Sequence, residues 1–123
     1  MRILVIDDNA ANLDLMLYLL RSFGHDPEGT ADAVAALHRA RTGNFELVLA
    51  DLLMPGIDGY EFARRFKADV ALASTPLVAV TALAMPADRM RAEEAGFDGY
   101  ITKPIEPQTF VSQVEAFLPS GSA

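Results

Sequence analysis

Five polar residues each stand just past an apolar run. Asp7 and Asp8 follow Arg2–Ile6, Asp51 follows Leu47–Ala50, Thr81 follows Leu77–Val80, and Lys103 comes after Tyr100 and Ile101. A short apolar run that stops on an acid and then breaks at Pro and Gly reads as a buried strand delivering a side chain to its C-terminal edge. Asp51 shows this best, with Leu52-Leu53-Met54-Pro55-Gly56-Ile57-Asp58-Gly59 behind it. If these residues meet, three carboxylates share one edge. Each pair then repels by about 4 kcal/mol at ~4 Å and an effective dielectric of ~20. Either one carboxylate is protonated or a cation sits among them, and Lys103 alone does not balance three negative charges. Oxygen-only ligands select a hard ion, and a loose carboxylate site that keeps several waters suits Mg²⁺.

The elements that must position these residues alternate. After the first strand, Leu13, Met16, Leu17, Leu20 and Phe23 recur at helical spacing until Gly24, with Asn9 or Asn12 as the cap. His25 to Thr30 is a weak strand carrying Pro27, which suits a sheet edge. Ala31 to Thr42 reads as a helix with an apolar stripe at Val34 and Leu37. Tyr60 to about Val70 reads as another, burying Phe62, Phe66 and Val70. Ala87 to Ala95 is a weaker helix stopped by Gly96. Tyr100 and Ile101 form the last strand. Pro107 suits the first turn of a final helix whose buried face is Phe110, Val114, Phe117 and Leu118. The chain thus divides into one domain over residues 1–118 and a small polar tail, Pro119 to Ala123, expected to be flexible.

Composition narrows the function classes. The chain has 123 residues, 51% of them hydrophobic, which fits one domain with a packed core. There is no cysteine, hence no disulfide framework and no thiolate chemistry. The net charge is −7 and the ten basic residues are scattered, which argues against direct binding of nucleic acid. No run approaches the ~18 apolar residues that a membrane span requires, and no signal peptide is visible. A cytoplasmic location is the expectation.

Five βα units with strands that lack alternation fit an α/β fold, a (βα)5 doubly wound parallel sheet covered on both faces. In the flavodoxin-like strand order 2-1-3-4-5, ligands bind beyond the carboxyl ends of strands 1 and 3. That is where Asp7, Asp8 and Asp51 fall. The set Asp7-Asp8, Asp51, Thr81-Ala82 and Lys103-Pro104, with the loop Met54-Pro55-Gly56-Ile57-Asp58-Gly59, closely resembles the receiver domains of response regulators in two-component signalling. The resemblance runs from about Met1 to Leu118.

It implies a phosphorylation-dependent switch in a two-component system or phosphorelay. Asp51 would accept a phosphoryl group from a histidine kinase or histidine phosphotransfer protein. Asp8, Asp51 and the Leu53 main-chain carbonyl would bind Mg²⁺, with Asp7 acting through a coordinated water. Lys103 and the Ala82 backbone amide would meet the phosphoryl oxygens, Thr81 would move to bond them, and Tyr100 would change rotamer in response. Lys103-Pro104 would be a cis peptide. The face near Tyr100, with Leu83, Ala84, Met85 and Met90, would meet a downstream protein or a second copy in a homodimer. An apolar Leu53 offers an attacking water no polar guide, so its side chain would affect the lifetime of the phosphoryl group. No turnover of a separate substrate is expected.

Each residue also has a plainer reading. Asp7-Asp8 can cap a helix, Asp51 can form a turn, Thr81 can cap, Lys103 can be a solvated lysine and Tyr100 an ordinary strand aromatic. The five in order outweigh these single readings. Among rival functions, a haloacid-dehalogenase-type, Mg²⁺-dependent aspartyl-phosphate phosphatase needs a second Asp where Leu53 stands. A flavodoxin needs a Ser/Thr/Gly-rich loop where Asp7-Asp8-Asn9 stands. A docking-only pseudo-receiver would not keep the full acidic set. Met1 directly before the first strand, with nothing beyond the last helix, leads us to expect a stand-alone receiver. The alternative is a receiver excised from a hybrid histidine kinase or a larger regulator.

Overall fold

The apolar runs assemble as a five-stranded sheet in the order β2-β1-β3-β4-β5, with every neighbouring pair parallel. The computed structural model describes residues 1–118, so the expected flexible tail, Pro119 to Ala123, lies outside the described residues. The strands are β1 (Arg2–Ile6), β2 (Asp26–Thr30), β3 (Leu47–Ala50), β4 (Leu77–Thr81) and β5 (Gly99–Thr102). They alternate with α1 (Ala10–Ser22), α2 (Ala33–Gly43), α3 (Gly59–Ala68), α4 (Pro86–Ala95) and α5 (Phe110–Glu115).

Side chains on a strand alternate between faces, so a strand apolar at every position feeds two cores. Ile3, Val5, Leu47, Leu49, Val78 and Val80 pack with Met16 and Leu20 of α1 and Phe110 and Val114 of α5. Leu4, Ile6, Val48, Ala50 and Ala79 pack on the other face with Ala36 and Leu37 of α2, Phe62 and Phe66 of α3 and Ala92 of α4. The Phe62 and Phe66 rings lie 5.8 Å apart in a tilted arrangement, an i,i+4 aromatic pair fully buried at the centre of this layer. β2 is an edge strand, which accommodates Pro27.

Four helical expectations are corrected. Asp32, rather than Ala31, opens α2: its carboxylate accepts hydrogen bonds from the Val34 and Ala35 amides, so the first turn begins at Ala33. This phase turns Ala33, Ala36, Leu37 and Ala40 inward and leaves Val34 exposed. α3 ends at Ala68 because the chain becomes extended at Asp69, which accepts from the Ala71 amide and pairs with Arg41. Val70 therefore lies in a turn, 93% exposed, and Leu72 fills the core position in its place. Phe23, expected on the inner stripe of α1, sits past its end as an exposed C-cap. The last helix starts at Phe110; Pro107 lies in the turn before it, and Phe117 and Leu118 follow its end half-buried. No helix among the described residues is long and apolar enough to cross a membrane.

Candidate functional site

The strand ladders run one residue beyond the strands, and this places the polar residues. Ile6 pairs with Ala50 in the β1–β3 register, and the next amide, that of Asp51, donates to the Ile6 carbonyl at 3.1 Å. The Asp7 amide donates to the Thr30 carbonyl at 3.1 Å, and that of Lys103 to the Thr81 carbonyl at 2.8 Å. Residues remote in sequence are thereby brought level on one edge. Asp7, Asp8 and Asp51 each offer a carboxylate oxygen, and these oxygens lie within 4.8 Å of one another. Asp7 and Asp51 are buried, while Asp8 faces solvent.

Lys103 reaches across from the end of β5. Its ammonium donates to Asp7 Oδ2 and Asp51 Oδ2, both at 2.7 Å. Burial pulls this ammonium down, but the hydrogen bonds and charges of Asp51 and Asp7 outweigh it, and Lys103 titrates above its ordinary value. Asp7 Oδ1 accepts from the Asn9 amide at 2.9 Å, and Asn9 then caps α1 through the Asn12 amide. Asp51 Oδ1 accepts from the Leu53 amide at 3.1 Å. The Leu53 side chain projects outward, half exposed. The Lys103–Pro104 peptide bond is cis.

One glycine holds the Asp51 loop against α3. The Gly59 amide donates to the Leu52 carbonyl at 3.0 Å, and a Cβ there would stand 2.5 Å from both the Asp51 carbonyl oxygen and Leu52 Cα. Both obstacles are backbone, so the loop would have to shift. Gly59→Ala is expected to cost about 2 kcal/mol and to move the Asp51 and Leu53 amide resonances in an ¹⁵N correlation spectrum.

Thr81 and Tyr100 meet at one residue. The fully buried Thr81 hydroxyl accepts from the Leu83 amide at 3.3 Å, and the Tyr100 hydroxyl donates to the Leu83 carbonyl. A change in either is therefore felt by the other through the backbone of Leu83. Tyr100 is half-buried; burial, followed by nearby Asp88 and Tyr60, raises its hydroxyl above the usual range. Ala82, beside Thr81, is exposed, as are Ala84, Met85 and Met90.

The edge fits a divalent ion. Three carboxylates face one ammonium within the cluster, and a site made wholly of oxygen ligands has the chemistry that Mg²⁺ takes. The structure also adds residues that the sequence did not single out. Asp58 caps α3 through the Glu61 amide, and Tyr60 and Arg91 face one another across the cleft beside Asp8. Asp-Gly before an apolar-periodic run was a visible signal for the cap; nothing local marked Arg91.

Comparisons with known proteins agree with this geometry. Residues 3–115 match the family described as "Response regulator receiver domain". The polar-differentiation response regulator DivK of Brucella ovis is 32% identical over 116 residues, covering 94% of each chain. The chemotaxis protein CheY4 of Vibrio cholerae superposes with a TM-score of 0.90 at 25% identity, over 95% of this chain and 98% of that one. The receiver domain of the sensor histidine kinase PA1611 of Pseudomonas aeruginosa, with a magnesium ion coordinated in its active-site cleft, superposes at 0.86 with 28% identity, over 94% and 95%. An acidic cluster at the carboxyl edge of a 2-1-3-4-5 sheet, and sequence likeness along almost its whole length, place this chain in the response regulator receiver domain family.

Proposed function

We propose that Asp51 is the phosphoryl acceptor of this receiver domain and that residues 1–118 form the switch unit. Members of the family act as phosphorylation-dependent signalling switches. The observation that carries the assignment is the position of the Asp51 carboxylate, grouped with Asp7 and Asp8 and bonded to Lys103 at 2.7 Å. Phosphoryl transfer is chiefly positioning plus neutralisation of the equatorial oxygens. Asp8, Asp51 and the Leu53 carbonyl would hold Mg²⁺, with Asp7 acting through a coordinated water. When bound, the ion supplies positive charge to the phosphoryl oxygens.

The chain's own groups do the rest. The Lys103 ammonium trades a carboxylate oxygen for a phosphoryl oxygen. The Thr81 hydroxyl, now turned to the Leu83 amide, is free to donate to the phosphoryl group, helped by the Ala82 amide. Phosphorylation adds up to about one charge and three acceptor oxygens, enough to draw a hydroxyl inward. Because Tyr100 shares Leu83 with Thr81, that movement loosens or tightens the Tyr100 hydroxyl bond and changes the surface around Met85 and Met90. The donors are a histidine kinase or a phosphotransfer protein; the reader is a downstream protein or a second copy meeting the Tyr100 face. The PA1611 likeness supports the alternative that the domain serves a hybrid kinase, through the same site.

The test is to treat the protein with acetyl phosphate and Mg²⁺. One acid-stable, base-labile phosphoryl group per chain, mapped to Asp51, is expected. No label, or label elsewhere, would defeat the assignment. Leu53→Asn is expected to change the decay rate of the label by about 3-fold or more; equal decay would show that this side chain does not set the lifetime.

A further inference from the structure

Between α2 and α3 runs an open groove of about 560 Å³, away from the acid cluster. Its apolar lining is Val34, Leu37 and Ala68, and its charged lining is Arg41, Arg65 and Asp69, beside the His38 ring. Two valines that sequence spacing assigns to the core stand here instead. Val34, 57% exposed, lies within the groove, and Val70, 93% exposed, follows Asp69. The crossover helices of a parallel sheet run against its strands. Arg41 and Arg65, in the last turns of α2 and α3, therefore lie towards the end opposite the carboxyl edge. An occupant of this groove leaves Asp51 and the Tyr100 face open.

The groove is basic on an acidic chain. α2 and α3 carry Arg39, Arg41, Arg64, Arg65 and Lys67 against one acid, Glu61, whereas the whole chain has a net charge of −7. Arg39 and Lys67 turn to Glu28 and Asp98, outside these helices. That leaves the guanidiniums of Arg41, Arg64 and Arg65 against the carboxylates of Asp69 and Glu61. Asp69 is engaged by Arg41 and the Ala71 amide, and Glu61 by Arg64 and Arg65. Arg41 and Arg65 use Nε for these bonds, and no described residue accepts from their terminal nitrogens. Those nitrogens form the planar fork that suits a further carboxylate. Cations in a last helical turn also answer the helix dipole, but the exposed valines have no such role.

We propose that the α2–α3 groove docks an acidic amphipathic segment of a partner protein, with its carboxylates on Arg41 and Arg65 and its apolar side chains on Val34, Leu37 and Ala68. A groove between two helices takes the apolar face of a third, as in other amphipathic recognition. The pairing of cations with exposed aliphatic side chains selects such a segment over a nucleic acid. Valines offer nothing to phosphates, and a polyanion longer than the groove would meet the acidic remainder of the chain within about one Debye length, ~8–10 Å. The contact holds the receiver on its partner whichever state Asp51 is in.

The experiment titrates the ¹⁵N-labelled full chain with an acetylated, amidated peptide of about 14 residues, Leu at helical spacing and Glu elsewhere, at low ionic strength. Amide shifts confined to α2, α3 and the Asp69–Val70 turn are expected, with a Kd below about 300 µM that rises as KCl is added. Arg41→Glu should raise that Kd about 5-fold or more. Because Arg41 also holds Asp69, Val34→Glu gives an independent reading. It places a repelling carboxylate in the groove, in a first helical turn where an acid favours the fold, and should weaken binding as much. Arg21→Glu, on α1 across the sheet, should leave the Kd unchanged. Unshifted α2 and α3 amides, undiminished binding by Arg41→Glu and Val34→Glu, or an equal loss in Arg21→Glu would overturn the proposal. Equal shifts from a short oligouridylate would also overturn it, by making the groove a polyanion site.

Discussion

Asp51→Asn is expected to reduce labelling by acetyl phosphate and Mg²⁺ to background while making the metal-free protein more stable. The first effect follows from loss of the attacking oxygen, since an amide is no nucleophile toward phosphorus at neutral pH. The second follows from the charges around the edge. Asp51 has two carboxylate neighbours and one ammonium partner, and the ligand oxygens lie within 4.8 Å of each other. Removing its charge relieves two repulsions and forfeits one attraction, each of order 4 kcal/mol before solvent screening at ~4 Å and a dielectric of ~20. Lys103 keeps its bond to Asp7 at 2.7 Å. After screening, a gain of about 1 kcal/mol in metal-free stability is the expected net, read from a urea transition. Mg²⁺ should stabilise the variant less than the wild type, because a ligand oxygen has gone and binding to the folded state sets the shift. Retained labelling in Asp51→Asn would place the acceptor elsewhere, and a loss of metal-free stability would mean that the Lys103 bond outweighs the repulsion.

Lys103→Met acts in the opposite sense. Met keeps much of the apolar stem but removes the ammonium bonded to both Asp7 and Asp51, whose side chains are 1% and 7% exposed. Breaking a buried pair by deleting one partner costs about 3–5 kcal/mol, because the remaining charge is stranded. The urea midpoint in EDTA should fall accordingly, and Mg²⁺ should recover part of the loss by supplying charge at the same edge. Labelling should also fall by about 10²-fold, the usual penalty for deleting a charge-stabilising donor. The wild type offers a pH check on the same interaction. Since the folded-state value of Lys103 is raised, the stability it contributes is fully present below the ordinary lysine range and is lost as pH climbs through the raised value. Lys103→Met should lack that alkaline loss. Equal stability of variant and wild type in EDTA would show that the ammonium adds nothing net to the fold.

Strand identity was open to the sequence because a buried parallel strand needs apolar side chains at every position, a local property visible in Ile3 to Ile6 and Leu77 to Val80. The five polar residues were visible for the same reason: each interrupts such a run where the chain leaves the core. Helix phase was less legible. Val34 and Val70 looked like core residues by spacing, yet Asp32 set the start of α2, and the Asp69 turn, tied to Arg41, ended α3 early. Both depended on caps and ion pairs, one of them reaching 28 residues along the chain.

For the site, residue order by itself determined which side chains gather at the carboxyl edge, since strand ends and a doubly wound topology leave them few other places. Only the tertiary structure decided that the Lys103 ammonium divides itself between Asp7 and Asp51, and that Leu83 links the Thr81 hydroxyl to Tyr100. It alone decided that Gly59 must lack a side chain and that the Arg91 guanidinium sits over the Tyr60 ring. These are matters of distances between segments far apart in sequence. Distance is fixed by how helices pack on the sheet, a quantity that no local pattern encodes.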